Sequence, residues 1–176
     1  MSQAEIQRLF FALNPPADVR RQVDRVRLQV GLVDARPVPV ENLHITLAFL
    51  GRVENERLES LAEVMSQLPP PYTSLNLDRC GWFKQARVGW IGCSSVAEDI
   101  LEFQAKLVEM IRELGFELDD RPWTPHITVY RKMRTRPVMV PFKPIKWNLD
   151  SYDLMVSEQR PGGVQYRSID HRVAIG

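Results

Sequence analysis

The chain contains 176 residues with a net charge of +1, and 44% of the residues are hydrophobic while 26% are charged. This length supports one domain with a substantial core, and the composition is too apolar for an intrinsically disordered protein. The near-neutral charge excludes a broad basic surface that would hold long nucleic acid by counterion release. It still allows a local pocket for a small anionic group.

Apolar periodicity predicts an α+β fold in which strands and helices alternate. The first helix has Pro16 in its first turn and is expected to end at Gly31. In chain order, the predicted elements are a strand at 7–14, a helix at 16–31, a strand at 42–50, a helix at 55–68, strands at 74–83 and 86–94, a helix at 96–115, a strand at 124–131, and two closing strands at 146–158 and 164–175 around a turn at 159–163.

The two halves of this pattern resemble each other. A strand, a helix and a His-Ile-Thr strand run from "RLFFAL" to His44, and the same order recurs from "RVGWIG" to His126. The phrase "LNLD" at 75–78 is echoed by "WNLD" at 147–150, although the second copy lacks the intervening helix. This order predicts a single domain, residues 1–176, with an internal duplication and two lobes related by an approximate two-fold axis.

The N-terminal segment and the apolar runs predict the compartment. Residues 1–16 carry an acid early and lack a basic region followed by a long apolar stretch, so no signal peptide is predicted. No apolar run approaches the roughly 18 residues of a membrane span. We therefore expect a cytoplasmic monomer without membrane contact. In a reducing compartment Cys80 and Cys93 are interpreted as small apolar side chains and not as a disulfide, and without a CxxC spacing they predict no structural zinc site.

The tripeptide His-Ile-Thr occurs twice in a chain that has only three histidines. Alternate side chains of a strand share a face. The histidine and threonine of each copy are therefore expected opposite the apolar residues: His44, Thr46 and Ala48 against Ile45, Leu47 and Phe49 in the first copy, and His126 and Thr128 against Ile127 and Val129 in the second. A single His-x-Thr is more often a structural pair, but two copies on the non-core face favour catalysis.

Two imidazoles and two hydroxyls in one groove suit metal-free phosphodiester chemistry. One neutral imidazole takes a proton from the attacking oxygen, and a protonated imidazole gives one to the leaving oxygen. The hydroxyls of Thr46 and Thr128 can donate to the non-bridging phosphate oxygens, where charge builds in the transition state. No HExxH or HxD pattern accompanies either histidine, so we expect no metal site.

The paired strands "NLHITLAFLG" and "PHITVYR" resemble the two-histidine phosphoesterases, and most closely the RNA 2′,3′-cyclic phosphodiesterases, also called 2′-5′ RNA ligases. The likeness covers nearly the whole chain. It implies a bilobal, LigT-like α+β fold with two pseudo-symmetric lobes, antiparallel sheets flanking a central cleft, and helices on the outside. It also implies hydrolysis of a terminal 2′,3′-cyclic phosphate to a 2′-phosphate without metal or other cofactor.

The resemblance carries over onto individual residues of the doubled motif. His44 and Thr46 match the first family motif, and His126 and Thr128 match the second. We assign His126 as proton acceptor and His44 as proton donor, although the near-symmetry of the two copies leaves the reverse open. Arg131 matches a phosphate-gripping arginine of the family. Strict alternation places it on the core face unless the strand ends or bulges near Tyr130.

Three aromatic residues are candidates for stacking on a nucleobase: Tyr130, which shares the face of His126, and Phe49 and Phe11, for which core packing is the alternative. The four tryptophans are expected in the core or between the lobes. His171 is expected to be structural. The basic run at 131–137 is either a solvated loop or a segment that steers an RNA backbone.

The expected partners are RNA 3′ ends or nucleotides with a 2′,3′-cyclic phosphate, tRNA halves included. Two alternatives stay open. The same site could join RNA ends without ATP as a 2′-5′ ligase, or the protein could be a non-catalytic module that binds RNA ends or nucleotides.

Overall fold

The computed structural model describes residues 5–29, 34–138 and 140–175, which form an α+β fold. The helices are α1 (Ala17–Gln29), α2 (Leu58–Gln67) and α3 (Glu98–Glu113). The strands are β1 (Ile6–Leu13), β2 (Arg36–Pro37), β3 (Ile45–Glu54), β4 (Thr73–Leu77), β5 (Arg79–Phe83), β6 (Val88–Gly92), β7 (His126–Arg131), β8 (Ile145–Leu149), β9 (Ser151–Arg160) and β10 (Gly163–Val173). No helix in this described part of the chain has the length and apolar character needed to cross a membrane.

Most strands belong to one antiparallel sheet with the order β10-β9-β1-β3-β7-β6-β5, and β2 pairs with β7. Strands β4 and β8 form a separate two-stranded sheet. The first lobe contributes β10, β9, β1 and β3 to the large sheet, and the second contributes β7, β6 and β5. The motif strands β3 and β7 meet at the pair Ile45–Ile127, so the junction of the lobes passes through the centre of both motifs.

Equivalent positions of the two halves pair with each other. Ile45 and Ile127 are the central residues of the two His-Ile-Thr motifs, and Leu75 pairs with Trp147 at the start of "LNLD" and "WNLD". The order β1-α1-β3 in the first half recurs as β6-α3-β7 in the second. These are the pairings that an approximate two-fold relation produces; the internal duplication itself stays a prediction.

Two side chains from the second lobe hold the first motif strand. Trp123 Nε1 donates a hydrogen bond to the Thr46 carbonyl at 2.9 Å, and Gln104 Nε2 donates to the Leu47 carbonyl at 3.0 Å. Both carbonyls lie just past the Ile45–Ile127 pair, where β3 and β7 diverge. The prediction that the tryptophans include contacts between the lobes is confirmed by Trp123.

Two segments predicted as single strands are each broken at an aspartate, and those predictions are wrong. The chain leaves the small sheet at Asp78, between β4 and β5, and again at Asp150, between β8 and β9. The Asp78 carboxylate accepts from the backbone N–H and the hydroxyl of Ser94, and the Asp150 carbonyl accepts from the Ala174 N–H. Strand β2 was also missed, because two residues show no periodicity.

The helix ends were predicted in part. Gly115 has a φ of +84°, and its N–H and that of Phe116 bond back to Arg112 and Ile111, so Gly115 ends α3 as expected. The expected end of the first helix at Gly31 lies outside the described residues. Cys80 and Cys93 are free thiols, and burial raises the pKa of Cys93 to about 11.

The main core lies on one face of the large sheet, under the helices and the small sheet. It includes Leu9, Phe11 and Leu13 of β1, Val23 of α1, Ile100 and Leu107 of α3, and Leu75 and Trp147 of the small sheet. A smaller cluster of Phe10, Ala12 and Met155, with Tyr166 packed against it, occupies the other face. Because the helices cover only the first face, the second is left free for a site.

Candidate active site

The uncovered face of the sheet opens into a cavity of about 870 Å³. His44, Thr46, Phe49 and Arg131 line it, which brings four of the predicted site residues together. Among the described residues that line the cavity, the charged side chains are Arg8, Arg36, Arg131 and Lys132, with no carboxylate. The cavity therefore presents positive charge to an anionic ligand of nucleotide size.

The pairing of the motif strands places the second motif beside the first. Because Ile45 pairs antiparallel with Ile127, His44 is the neighbour of Thr128 and Thr46 is the neighbour of His126. Diagonal neighbours in a regular antiparallel pair lie roughly 7–8 Å apart, so the register brings His44 and His126 near each other, and the charge of His126 contributes to the low His44 pKa. His126 and Thr128 are half-buried on the adjoining strand and do not line the cavity itself.

Both imidazoles are oriented by a carbonyl two residues earlier. His44 Nδ1 lies 2.7 Å from the Asn42 carbonyl, and His126 Nδ1 lies 2.7 Å from the Thr124 carbonyl. A carbonyl oxygen can only accept, so each Nδ1 carries a hydrogen and each neutral ring has its lone pair on Nε2. The arrangement leaves the two Nε2 atoms as the groups available for proton transfer.

Asn42 fixes the carbonyl that orients His44. Its buried side chain donates from Nδ2 to the Val164 carbonyl at 2.8 Å and accepts from the Tyr166 N–H at 3.3 Å. These bonds attach the turn before the first motif to β10. Sequence reasoning missed Asn42, because its partners lie about 120 residues away.

Thr46 is hydrogen-bonded to its own motif histidine. Its Oγ1 lies 3.0 Å from His44 Nε2, and with a neutral His44 the hydroxyl is the donor. Once His44 is protonated, Nε2 no longer accepts, and the Thr46 hydrogen is free to turn toward another acceptor. The hydroxyl can then serve a phosphate oxygen.

Aromatic rings that the sequence analysis did not identify surround both histidines. Phe10 and Tyr166 pack against His44 with ring centroids 5.0 and 5.1 Å away. Phe83 lies edge-on to His126 at 5.0 Å, and Trp90 lies 6.3 Å from it. Phe10 could have been found from alternation, since it faces away from Leu9 and Phe11. The others come from distant strands and leave no local signal.

This packing lowers the pKa of both histidines. Burial is the largest cause of the fall in the His44 pKa to about 4; the Asn42 carbonyl opposes it, and the charges of Arg131, Arg20 and His126 add to it. Burial also lowers the pKa of His126, again opposed by its carbonyl partner and assisted by Arg131. Both rings are therefore mainly neutral at pH 7 in the empty site.

The low His44 pKa predicts a pH-dependent stability. Unfolding returns this pKa from about 4 to about 6.5, so between these values the unfolded chain binds the extra proton. The contribution of His44 is complete above pH 6.5 and is lost as the pH falls toward 4, by up to about 3 kcal/mol. Urea unfolding of the wild type and of His44→Asn at pH 7.5, 6 and 5 measures it. An equal decline in both proteins would contradict the prediction.

A bulge in β7 decides the positions of Tyr130 and Arg131. Trp90 pairs with Thr128 and Gly89 pairs with Tyr130, so Val129 is an extra residue in β7. The alternation is reversed beyond it, and the Arg131 side chain becomes exposed on the cavity side, as the conditional prediction required. The same bulge turns Tyr130 into the core, where it is 7% exposed and donates to the Arg27 carbonyl. The prediction that Tyr130 stacks on a base is therefore wrong.

Bulges in β3 likewise move Phe49. The pairing with β1 skips Leu47 and Leu50, so Ala48 packs in the core and Phe49 lies 49% exposed at the cavity. The faces predicted for these two residues are wrong, because strict alternation ignores the extra residues. Phe49 keeps its place as a candidate for base stacking.

Phe11 cannot stack on a ligand. It has no exposed surface and packs in the main core, 6.3 Å from the Tyr152 ring. Its neighbours at i±2, Leu9 and Leu13, share its face and already favoured core packing. The stacking prediction for Phe11 is wrong.

The remaining candidates are placed as follows. His171 donates from Nδ1 to the buried Asp153 carboxylate at 2.8 Å and does not line the cavity, which fits the structural role expected for it. In the basic run at 131–137, Arg131 and Lys132 line the cavity while Arg134 and Arg136 are exposed outside its lining. No group of three His, Cys, Asp or Glu side chains in the described segments is arranged to hold a metal ion.

Known phosphoesterases resemble this chain in sequence. The family model "LigT like Phosphoesterase" matches residues 13–90, which include the first motif. RNA 2′,3′-cyclic phosphodiesterase from Escherichia coli strain K12 is 32% identical over 166 residues, which cover 93% of this chain and 94% of that protein. The enzyme of the same name from Methanocaldococcus jannaschii is 30% identical over 127 residues, 70% of each chain.

A solved structure gives the same result for the fold. The crystal structure of E. coli LigT complexed with 3′-AMP matches with a TM-score of 0.87 at 29% identity, over 98% of this chain and 100% of that one. The predicted bilobal α+β fold is confirmed by this match. Because the identity to the E. coli enzyme extends over nearly the full length of both chains, this protein belongs to the LigT-like family of two-histidine phosphoesterases.

Proposed function

We propose that this protein hydrolyses the 2′,3′-cyclic phosphate at the 3′ end of RNA to a 2′-phosphate. The observation that carries the proposal is the pairing of the two motifs through Ile45 and Ile127, beside a cavity whose charged lining is cationic. The E. coli and M. jannaschii relatives are named for this activity, and the E. coli structure holds a nucleotide, 3′-AMP.

Hydrolysis requires one proton to be removed and one to be supplied. Nε2 of His126 takes a proton from a water molecule as the water oxygen attacks phosphorus. The bond between phosphorus and the ribose 3′-oxygen breaks, and Nε2–H of His44 gives its proton to that oxygen. The product carries a 2′-phosphate and a 3′-hydroxyl, and the two imidazoles have exchanged protonation states.

The assignment of His44 as the acid depends on the ligand. In the empty site its pKa of about 4 keeps the ring neutral at pH 7, so that His44 has no proton on Nε2 to give. A bound phosphate places a negative charge beside His44 and offsets the positive charge of Arg131. Both effects favour protonation of His44. The substrate thus brings the acid into its charged form, and proton uptake accompanies binding.

The other predicted residues stabilise the charge that develops on phosphorus. The hydroxyls of Thr46 and Thr128 flank the gap between the histidines and donate to the non-bridging oxygens. Arg131 reaches the cavity because of the bulge at Val129 and offers its planar fork to the same group. Phe49, exposed on the cavity wall, offers a ring for the terminal base.

The proposal is tested by incubating the pure protein with 2′,3′-cyclic AMP in the presence of EDTA. We expect 2′-AMP as the product. EDTA should not change the rate, because both proton transfers use histidine side chains of the protein. Separation of the two AMP isomers by chromatography identifies the bond that breaks. Formation of 3′-AMP, or loss of turnover in EDTA, would contradict the mechanism.

We propose that the physiological substrates are RNA 3′ ends in the cytoplasm, and that they include tRNA halves. We also propose that the protein acts as a monomer. Ligation of a cyclic phosphate to a 5′-hydroxyl would use the same atoms in reverse, but bulk water favours hydrolysis. A binding module would not need two Nε2 atoms oriented for proton transfer.

A further inference from the structure

Two arginines face each other at one end of the cavity. Arg36 of β2 and Arg131 of β7 are direct partners in the antiparallel pairing. Such partners have Cβ atoms roughly 4.5–5.5 Å apart, and like charges there repel each other. Both side chains are exposed and line the cavity. Within the described segments, neither guanidinium forms an ion pair, so a bound anion would relieve a repulsion that the protein leaves uncompensated.

Two arginines that are partners on neighbouring strands do not by themselves form an anion site. Arg8 and Arg52 are also direct partners, between β1 and β3. Arg52 does not line the cavity, and the Arg8 guanidinium lies 5.1 Å from the centre of the Phe49 ring. The pair formed by Arg36 and Arg131 differs because both members face the same enclosed space.

The position of Arg36 is fixed from two sides. The Val38 N–H bonds to the Val129 carbonyl at 3.0 Å and continues the pairing of β2 with β7. The Arg36 guanidinium lies against the hairpin between β9 and β10, where a Cβ atom on Gly163 would be 3.4 Å from Nη2. The backbone of Arg36 is therefore fixed by β7, and its guanidinium lies beside the hairpin in the cavity lining.

Arg36 lies away from the reacting phosphorus. Its partner Arg131 is four residues beyond Ile127, roughly 13 Å along the strand. Arg131 can turn back toward the histidines, while Arg36 on the neighbouring strand remains for a second anion. A chain of nucleotides supplies that anion, since each terminal nucleotide of an RNA carries a phosphodiester on its 5′ side.

We propose that Arg36 binds the phosphodiester on the 5′ side of the terminal nucleotide, so that the enzyme prefers an oligonucleotide end to a cyclic mononucleotide. This inference rests on the proposed function and specifies its substrate. The planar fork of arginine suits a phosphodiester, and Lys132 adds charge at the same end of the cavity.

The test compares two substrates with three proteins. The substrates are 2′,3′-cyclic AMP and a dinucleotide that ends in a 2′,3′-cyclic phosphate, and the proteins are the wild type, Arg36→Gln and the control Arg52→Gln. We expect Arg36→Gln to lower kcat/KM for the dinucleotide about tenfold or more, mainly through KM. The cyclic mononucleotide should be affected less than about twofold. Arg52→Gln removes the same charge from an exposed strand position and should change neither substrate.

A third substrate distinguishes the phosphate from the second base. A 2′,3′-cyclic AMP with a 5′-phosphate should be turned over like the dinucleotide and should lose the same factor in Arg36→Gln. Equal losses for all substrates, or no loss for the dinucleotide, would overturn the proposal. A loss confined to the dinucleotide would assign the effect to the second base instead and would also overturn it.

Binding measurements separate this proposal from the proposed function. Calorimetry with a dinucleotide that ends in a 2′-phosphate requires no turnover. Arg36→Gln should weaken its binding about tenfold or more and leave the binding of 2′-AMP unchanged. If the wild type hydrolyses none of the substrates, the proposed function fails while this comparison still decides the role of Arg36. Equal affinities in the two proteins would refute that role.

Discussion

Replacing His44 or His126 with alanine should lower kcat/KM for 2′,3′-cyclic AMP by about 10²–10⁴-fold, since each removes one of the two proton-transfer groups. The double variant should lose little more than either single variant, because both transfers belong to one reaction step. His171→Ala is the matched control; it removes the third histidine, which bonds to Asp153 and not to either motif, and should retain full turnover. A motif variant with wild-type activity and a native circular dichroism spectrum would contradict the mechanism.

The same variants also separate the acid from the base. A nucleotide phosphodiester with a nitrophenolate leaving group needs no proton on departure. His44→Ala should therefore recover most of its activity on this substrate if His44 is the acid, while His126→Ala should remain inactive. The opposite pattern would reverse the two assignments, in agreement with the low His44 pKa of the empty site.

The second large effect is expected at Phe11, and it acts on stability. Phe11 is fully buried, so Phe11→Ala removes a core ring and should cost about 3–5 kcal/mol of the free energy of unfolding. For a domain of this size the loss lowers Tm by roughly 6–20 °C. Differential scanning calorimetry measures both quantities.

Phe49→Ala is the matched comparison for Phe11→Ala. Phe49 is half-exposed at the cavity, and its replacement should change the free energy of unfolding by less than about 0.5 kcal/mol. If the ring stacks on the terminal base, KM should rise by a factor that corresponds to about 1–3 kcal/mol. A large loss of stability in Phe49→Ala, or none in Phe11→Ala, would show that the core and cavity faces of the sheet are assigned the wrong way round.

The doubled motif was the part of the site that the sequence could predict. His44 and His126 both begin the tripeptide His-Ile-Thr in a chain with one other histidine, so neither needed a structure to be singled out. Their threonines follow from the two-residue repeat of a strand. The family and the α+β fold follow from the same two strands and the helices between them.

The errors at Ala48, Phe49 and Tyr130 share a physical cause. A strand pattern assumes that every residue has a partner, whereas Leu47, Leu50 and Val129 are extra residues in their pairings. Each reverses the faces of the residues beyond it, which moved Phe49 to the cavity and Tyr130 to the core. Bulges depend on how two distant segments fit together, and so local periodicity does not reveal them.

The surroundings of the histidines were beyond prediction for a related reason. Tyr166 and Asn42 meet at His44 only because β10 returns beside the turn that precedes the first motif. The low His44 pKa depends on that enclosure. Residues that set the protonation of a group can be named only when the packing around it is known.

The junction at Ile45 and Ile127 has a mechanical consequence. Each catalytic half is carried by its own lobe, and beside the shared backbone pair the first motif strand accepts hydrogen bonds from Gln104 and Trp123 of the other half. The distance between the two histidines therefore depends in part on two donors that lie outside the cavity lining. Substitutions at Gln104 and Trp123 could therefore change which RNA ends the enzyme accepts without any change in the catalytic residues.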